Sequence, residues 1–478
     1  MIIGVDIGTS GIRAILQSEK TGEIFQKCTL KHETYFPKPG YAEQNPDEIL
    51  NNLIKCINKL MENIKEDTVI LSLSTVLHSV LALDKNGERL TNLIIWADRR
   101  AQSEKKYLAS KYGGTFFYSR SGCPLHSMYL PAKILWIRKM FPNATKFLSI
   151  KSYIVSKLTG KMVEDLSIAS ASGLLNLNEK VWDPDILHVL GLTSDNLPQI
   201  VSPYSIYNIN DIFKKKVLLV VGSGDGMLAN LGSGAVNEKV GVLTLGTSGA
   251  ARVTVKNIML DNQQETWCYI LDDEHYLLGA AINSGGIVLE WLKKLLKLED
   301  LNLIIDKTRR ISPGSDGLIF LPFINGERSP HWLDDYKGVL IGLTSAHDDL
   351  HIVKSAMEGI AFRMRTILES VERVLGSRLE RILATGGFTN SQVFSQLLSN
   401  VIGRSLAITN VDEHVALGAI MLAMKALGND WKDILEKISI RKIIKSQQEE
   451  VPLYEKEYQR HLEAYEYLKK FFLKGGIL

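Results

Sequence analysis

Cysteine is scarce in this chain. Its 478 residues include four, Cys28, Cys56, Cys123 and Cys268, scattered and without a Cys-x-x-Cys pair. A disulfide framework and a structural zinc site are therefore not expected, and a reducing cytoplasm is. Net charge is small as well: 56 Lys and Arg against 53 Asp and Glu leave +3. That speaks against bulk affinity for nucleic-acid backbones. No apolar run approaches the ~18–20 residues needed to span a bilayer. The opening Met1-Ile-Ile-Gly-Val-Asp6 lacks the basic segment of a signal peptide. There is no low-complexity tract and no solenoid period. What is present is an ordinary core-rich composition, 45% hydrophobic and 23% charged. At ~150 residues per domain the length suggests roughly two to four domains, most simply two large ones.

Apolar runs at Ile2–Val5, Val69–Leu73, Leu93–Trp96, Val217–Val221, Val240–Leu245 and Leu318–Leu321 read as buried strands. Between them lie helical patterns. Asn45 is a good N-cap, Pro46 suits the first helical position, and Glu48 would complete a capping box. Ile49, Leu53, Ile57, Leu60 and Ile64 follow at helical spacing. Further helices are expected over 348–375, 391–402, 415–427 and 452–472. Alternating strands and helices predict an α/β architecture.

One internal echo stands out. Gly4-Val-Asp-Ile-Gly-Thr-Ser-Gly11 resembles Gly241-Val-Leu-Thr-Leu-Gly-Thr-Ser-Gly249, and in each an arginine and a second β-like run follow. The shared tetrapeptides lie about half the chain apart, which points to a duplicated unit with its boundary near residue 238. A Gly-Thr-Ser-Gly hairpin suits phosphate: glycine lets backbone N–H groups approach an anion, and the hydroxyls add donors. Gly8, Thr9 and Ser10 in one copy, with Gly246, Thr247 and Ser248 in the other, are thus candidates to grip a polyphosphate. Tight turns are the plainer alternative. The copies differ where Asp6 matches Thr244, and a single carboxylate beside phosphates suits Mg²⁺.

Other candidates follow strand ends. After Val217–Val221 comes Gly222-Ser-Gly-Asp225-Gly, where Asp225 would project into the crevice of an α/β sheet as a general base, or else cap a helix. His78 lies beyond Val69–Leu73. Trp96, Asp98 and Arg99 follow another strand and suit a polyol, which offers C–H faces and hydroxyls; core packing and a solvated arginine pair are the alternatives. Gly387 and Ser391 sit in a strand–turn–helix entry where a nucleoside could approach.

Together these residues resemble the FGGY carbohydrate kinases, within the actin/Hsp70-like superfamily, over nearly the whole chain. The two phosphate loops are joined by Tyr129-Leu-Pro-Ala-Lys133-Ile-Leu-Trp136, by Gly338–His347 running on to Ala356–Phe362, by Asp165–Ser170 and by Trp182-Asp-Pro. The resemblance implies two actin/Hsp70-like (ribonuclease H-like) domains, 1–238 binding sugar and 239–478 binding nucleotide, with a cleft between them. Tyr41–Glu48, Trp96–Arg99, Ser149–Ile154, Ala169–Asn176, Ser223–Gly226, Leu245–Arg252 and Phe323–Pro330 resemble the branch that phosphorylates gluconate. That branch implies transfer from Mg-ATP to O6 of D-gluconate, giving 6-phosphogluconate. Leu77-His78 and Asn283-Ser284 depart from its usual Met-His and Asn-Asn. Carried over by position, Asp225 is the base, Asp6 lies beside Mg²⁺, and Thr9, Ser10 and Thr247 hold phosphates. Gly286, Gly387 and Ser391 hold the adenosine end, and His78 and Met128 contact the sugar, with Asp98 and Arg99 less secure. The partner of the gluconate carboxylate stays open between Arg99 and His126. Domain closure is expected to hinge near 232–245 and the 415–427 helix. The alternatives are a kinase for xylulose or another pentulose or polyol, and a non-catalytic actin-like ATP-binding protein. Partners would be a sugar acid and ATP, with no nucleic acid or membrane, and family members often form homodimers.

Overall fold

The computed structural model describes residues 1–19, 22–62 and 64–473. Two mixed sheets dominate it, and each is built around one of the two hairpins. The first runs in the order Ile206–Asn208, Lys216–Gly224, Thr68–Thr75, Ile2–Gly8, Gly11–Gln17, Ile24–Lys31. The second runs Trp267–Ile270, Tyr276–Ile282, Gly249–Val255, Val240–Leu245, Arg381–Thr385, Leu406–Thr409, Ile440–Ile444. In both, a hairpin is followed by two strands parallel to its first arm: Thr68–Thr75 and Lys216–Gly224 in one, Arg381–Thr385 and Leu406–Thr409 in the other. The central strands are apolar on both faces, as parallel strands covered by helices must be.

The first helix, Pro46–Met61, buries Ile49, Leu53, Ile57 and Leu60 against the first sheet. Asn45 caps it by accepting the Asp47 N–H at 3.0 Å, not through a reciprocal box with Glu48, and it stops before Ile64. The strand expected over Leu93–Trp96 covers Leu93–Ile94, which leaves Trp96 in the loop beyond. The long Asp349–Leu375 helix, boxed by Asp348 and His351, packs Val353, Met357, Ile360, Met364 and Ile367 on the second sheet. The terminal helix runs Val451–Leu473. Among the described residues no helix is long and apolar enough to cross a membrane.

Two helices hold the sheets together. Asp225–Gly232 leaves the first sheet, and His414–Ala426 leaves the second at the matching position. The second of these packs back onto the first sheet, where Ala416, Ile420 and Leu422 join Ile2, Ile15 and Val220 in one core. That core therefore draws on both sides of residue 238, while the two largest cores lie wholly on one side or the other. The helices touch backbone to backbone: a Cβ on Gly232 would lie 1.8 Å from the His414 carbonyl oxygen, and one on Gly418 would lie 2.2 Å from that of Leu228. Any side chain there would force the helices apart.

Candidate active site

A cleft of about 400 Å³ opens between the sheets, lined by both hairpins and by Asp6, His78, Asp225, Arg252 and Arg328. Asp6 lies on the first arm of the first hairpin, directly opposite Arg13, whose guanidinium is 3.7 Å away. One carboxylate oxygen, Oδ1, is buried without a hydrogen-bond partner. Burial and the nearby Asp225 push its pKa up to about 7, with Arg13 opposing.

Asp225 is aimed by a bulge. Gly222, at φ +80°, sits where the pairing of Lys216–Gly224 with Thr68–Thr75 shifts register, and a Cβ there would fall 1.8 Å from the Leu73 carbonyl oxygen. Only glycine fits that turn of the strand. The strand then continues to Gly224, and Asp225 opens the next helix. Buried Lys151 secures the bulge by donating to the carbonyls of Leu73 (3.2 Å), Val221 (3.1 Å) and Ser223 (2.9 Å), and it pairs with Asp165 at 3.2 Å. The Ser167 hydroxyl accepts the Gly224 N–H at 2.8 Å. Burial raises the Asp225 carboxyl; Arg252 and the Gly226 N–H work against it.

His78 stands at φ +60°, an uncommon conformation for a non-glycine residue. Buried Lys133 clamps it by donating to the carbonyls of His78 (2.7 Å) and Ile95 (2.8 Å). His78 Nδ1 lies 2.8 Å from the Ala171 carbonyl oxygen, which can only accept, so Nδ1 carries the proton. Burial, with Lys133 and Arg328 nearby, holds the ring pKa well below its usual value. The imidazole is therefore neutral, and Nε2 is an acceptor suited to a hydroxyl. Trp96 donates its indole N–H to the Thr9 hydroxyl at 2.9 Å, tying the polyol-suited indole to the first hairpin. Met128 is buried beside it, with its sulfur 3.7 Å from Arg328 Nη1.

Several candidate residues lie off this cleft. Asp98 is consumed structurally, accepting the Ala42 N–H (2.6 Å) and pairing with Arg100 at 2.7 Å. Arg99 is not among the lining residues, and its backbone N–H bonds to Gly40. His126 is buried against Asp334, 2.9 Å from Nε2. Gly286, Gly387 and Ser391 sit beside the second hairpin without lining the cleft: Gly286 donates to the Gly246 carbonyl at 2.7 Å, and Ser391 caps the Gln392–Ile402 helix. Composition and motif spacing gave no role to Arg252 and Arg328. Arg252 had a signal, since an arginine follows each Gly-Thr-Ser-Gly, Arg13 two residues after the first and Arg252 three after the second.

The residues fit a hard cation at Asp6. Asp6 lines a cleft edged by phosphate-suited hairpins, and its buried Oδ1 has no protein partner. Among the described residues no group of three or more His, Cys, Asp or Glu could hold a metal alone, so a cation here would share phosphate oxygens.

The family model described as the FGGY family of carbohydrate kinases, N-terminal domain, matches residues 1–232, and its C-terminal counterpart matches residues 241–427. A gluconokinase of Bacillus licheniformis is 34% identical over 450 residues, 89% of this chain and 88% of its own. A crystal structure of gluconate kinase from Lactobacillus acidophilus superposes with a TM-score of 0.90 at 30% identity, covering 98% of each chain. A ligand-bound xylulose kinase from the same organism superposes with a TM-score of 0.91 at 30% identity, also covering 98% of each.

Proposed function

The chain belongs to the FGGY family of carbohydrate kinases, and we propose that within it this enzyme transfers the γ-phosphate of Mg-ATP to O6 of D-gluconate. It is a phosphotransferase acting on a carbohydrate alcohol, and kinases of this family use ATP as donor. The observation that carries the gluconate reading is the 34% identity with a gluconokinase across 89% of the chain. The cleft supports it, because it sets two carboxylates, Asp6 and Asp225, and three guanidiniums, Arg13, Arg252 and Arg328, around one cavity between the hairpins.

In this reading residues 1–238 hold the sugar and 239–478 the nucleotide. Gly8, Thr9, Ser10, Gly246, Thr247 and Ser248 hold phosphates, and Gly286, Gly387 and Ser391 flank the adenosine end. Asp225 accepts the proton of the attacking hydroxyl. A primary alcohol is a very weak acid, so the proton moves only as the phosphoryl group does, and alignment supplies most of the acceleration. His78 Nε2 accepts a sugar hydroxyl, and Trp96 and Met128 pack on the carbon chain. Asp6 would hold Mg²⁺, and the bound ion would neutralise charge on the transferred group. Closure about the paired helices Asp225–Gly232 and His414–Ala426 excludes water, the competing nucleophile.

The equally close superposition on a xylulose kinase favours one second reading, a pentulose acceptor in the same cleft. An ADP-release assay with Mg-ATP against D-gluconate, D-xylulose, L-ribulose and glycerol separates the two. Gluconate is expected to give the highest kcat/KM by a wide margin. Activity confined to a ketose would overturn the gluconate reading.

A further inference from the structure

We propose that Arg252 and Arg328 together form the seat for the acceptor's carboxylate. The inference rests on the gluconate reading and names the residues that read its acid group. Both side chains reach the cleft from the second half of the chain, Arg252 on the Gly249–Val255 strand and Arg328 in the loop after Ile319–Leu321.

Both are more than nine-tenths buried, with 7% and 9% of their surface exposed. A buried guanidinium normally sits in a fork of acceptors, because unpaired burial of a charge is costly. Elsewhere in this protein that rule holds: Arg100 is paired with Asp98 and Glu43, and Arg363 with Glu327. The cleft pair breaks it. Arg252 donates Nη2 to the Thr244 hydroxyl at 2.7 Å, and Arg328 donates Nη2 to the Ile282 carbonyl at 3.0 Å. The Nε of each is buried without a partner, as is that of Arg363, but Arg363 has the Glu327 carboxylate to meet its charge. Among the described residues neither is within ion-pair distance of a carboxylate; burial pushes Arg252 down to about 10, with Asp225 across the cleft opposing and Arg328 adding its repulsion.

Two guanidiniums lining one cavity, with Asp225 as the carboxylate they share and no ion pair of their own, leave a place for a further anion. Transferred phosphate is one source, and the acceptor's own carboxylate is the other. The surroundings favour the carboxylate. The Arg328 guanidinium lies 5.4 Å from the Trp96 ring and 3.7 Å from the Met128 sulfur, beside the groups suited to a polyol chain.

The test compares D-gluconate with D-glucitol, its neutral alditol, in ADP release by wild type, Arg252→Gln and Arg328→Gln. The ratio of kcat/KM for gluconate to that for glucitol is expected to fall about 100-fold in each variant, the usual scale for breaking a buried charge pair. Arg252→Lys and Arg328→Lys keep the charge without the fork and should lose about tenfold in the same ratio. These variants read the outcome if the glutamine forms do not fold. Equal losses on both acceptors would assign the pair to phosphate or to folding and overturn the proposal. A wild type that ignores gluconate but uses a ketose would instead overturn the functional reading, and this one with it.

Discussion

The two hairpins share Gly-Thr-Ser-Gly and present opposite chemistry. The first closes Gly8 on Gly11 around the two residues Thr9 and Ser10. The second closes Leu245 on Gly249 around three, Gly246, Thr247 and Ser248. In the first register Asp6 faces Arg13. The second, shifted by one residue, sets Arg252 opposite Val242, on the same face as Thr244. Had the second hairpin copied the first, Arg252 would sit opposite Leu243, a core residue, because a one-residue slip turns a side chain to the other face. One extra turn residue thus turns Arg252 to the cleft beside Thr244, where the first hairpin sets Asp6 against Arg13. Duplicated backbones can diverge into a first wall carrying Asp6 and Asp225 beside Arg13 and a second carrying Arg252 and Arg328 without a carboxylate.

The division should break hardest at Asp225. Asp225→Asn is expected to lower kcat by about 10²–10⁴, the scale of a lost general base, with little change in ATP binding by calorimetry. Wild-type turnover would remove the base from the first wall. Next comes Asp6→Asn, expected to lower kcat/KM by about 10–100-fold and to raise the Mg²⁺ concentration needed for half-maximal rate. A variant with unaltered Mg²⁺ dependence would place the cation elsewhere.

Thr244→Asp sharpens the comparison by copying the first hairpin's carboxylate into the second, within reach of Arg252. The KM for gluconate should rise about tenfold, which corresponds to ~1.4 kcal/mol of lost binding. An unchanged KM would mean that Arg252 does not meet the acceptor. Gly418→Ala tests the joint between the halves, since its Cβ would lie 2.2 Å from the Leu228 carbonyl oxygen. Urea unfolding should show a loss of about 1–3 kcal/mol, and full stability would mean that the helices slide freely.

The smallest effect is on pH and stability. The raised Asp6 carboxyl, near 7 when folded and 3.8 as the ordinary value, penalises the folded state at pH 8, and the penalty is relieved as pH falls through 7. Asp6→Asn should therefore be more stable than wild type at pH 8, with the gain shrinking by pH 5. A gain that grows with acid would contradict the burial of Asp6.

Local pattern alone determined much of this protein. The strands Ile2–Gly8, Thr68–Thr75 and Val240–Leu245, the Asn45 cap, the helix that begins at Asp348 and the duplicated Gly-Thr-Ser-Gly were all readable, because periodicity, caps and turn chemistry act within a few residues. The family was readable for the same reason, since its motifs are short and contiguous. Roles that depend on what a side chain faces were not. Asp98 and Arg99 stand next to Trp96 in sequence, yet Asp98 is spent on Arg100 while Trp96 reaches Thr9. The strand read over Val217–Val221 continues through a bulge at Gly222 to Gly224. Arg252 and Arg328, far apart in sequence, meet at one cleft. Whether a buried charge finds a partner depends on segments brought together by folding, so only the tertiary structure could decide which arginines were satisfied and which were left facing the cavity.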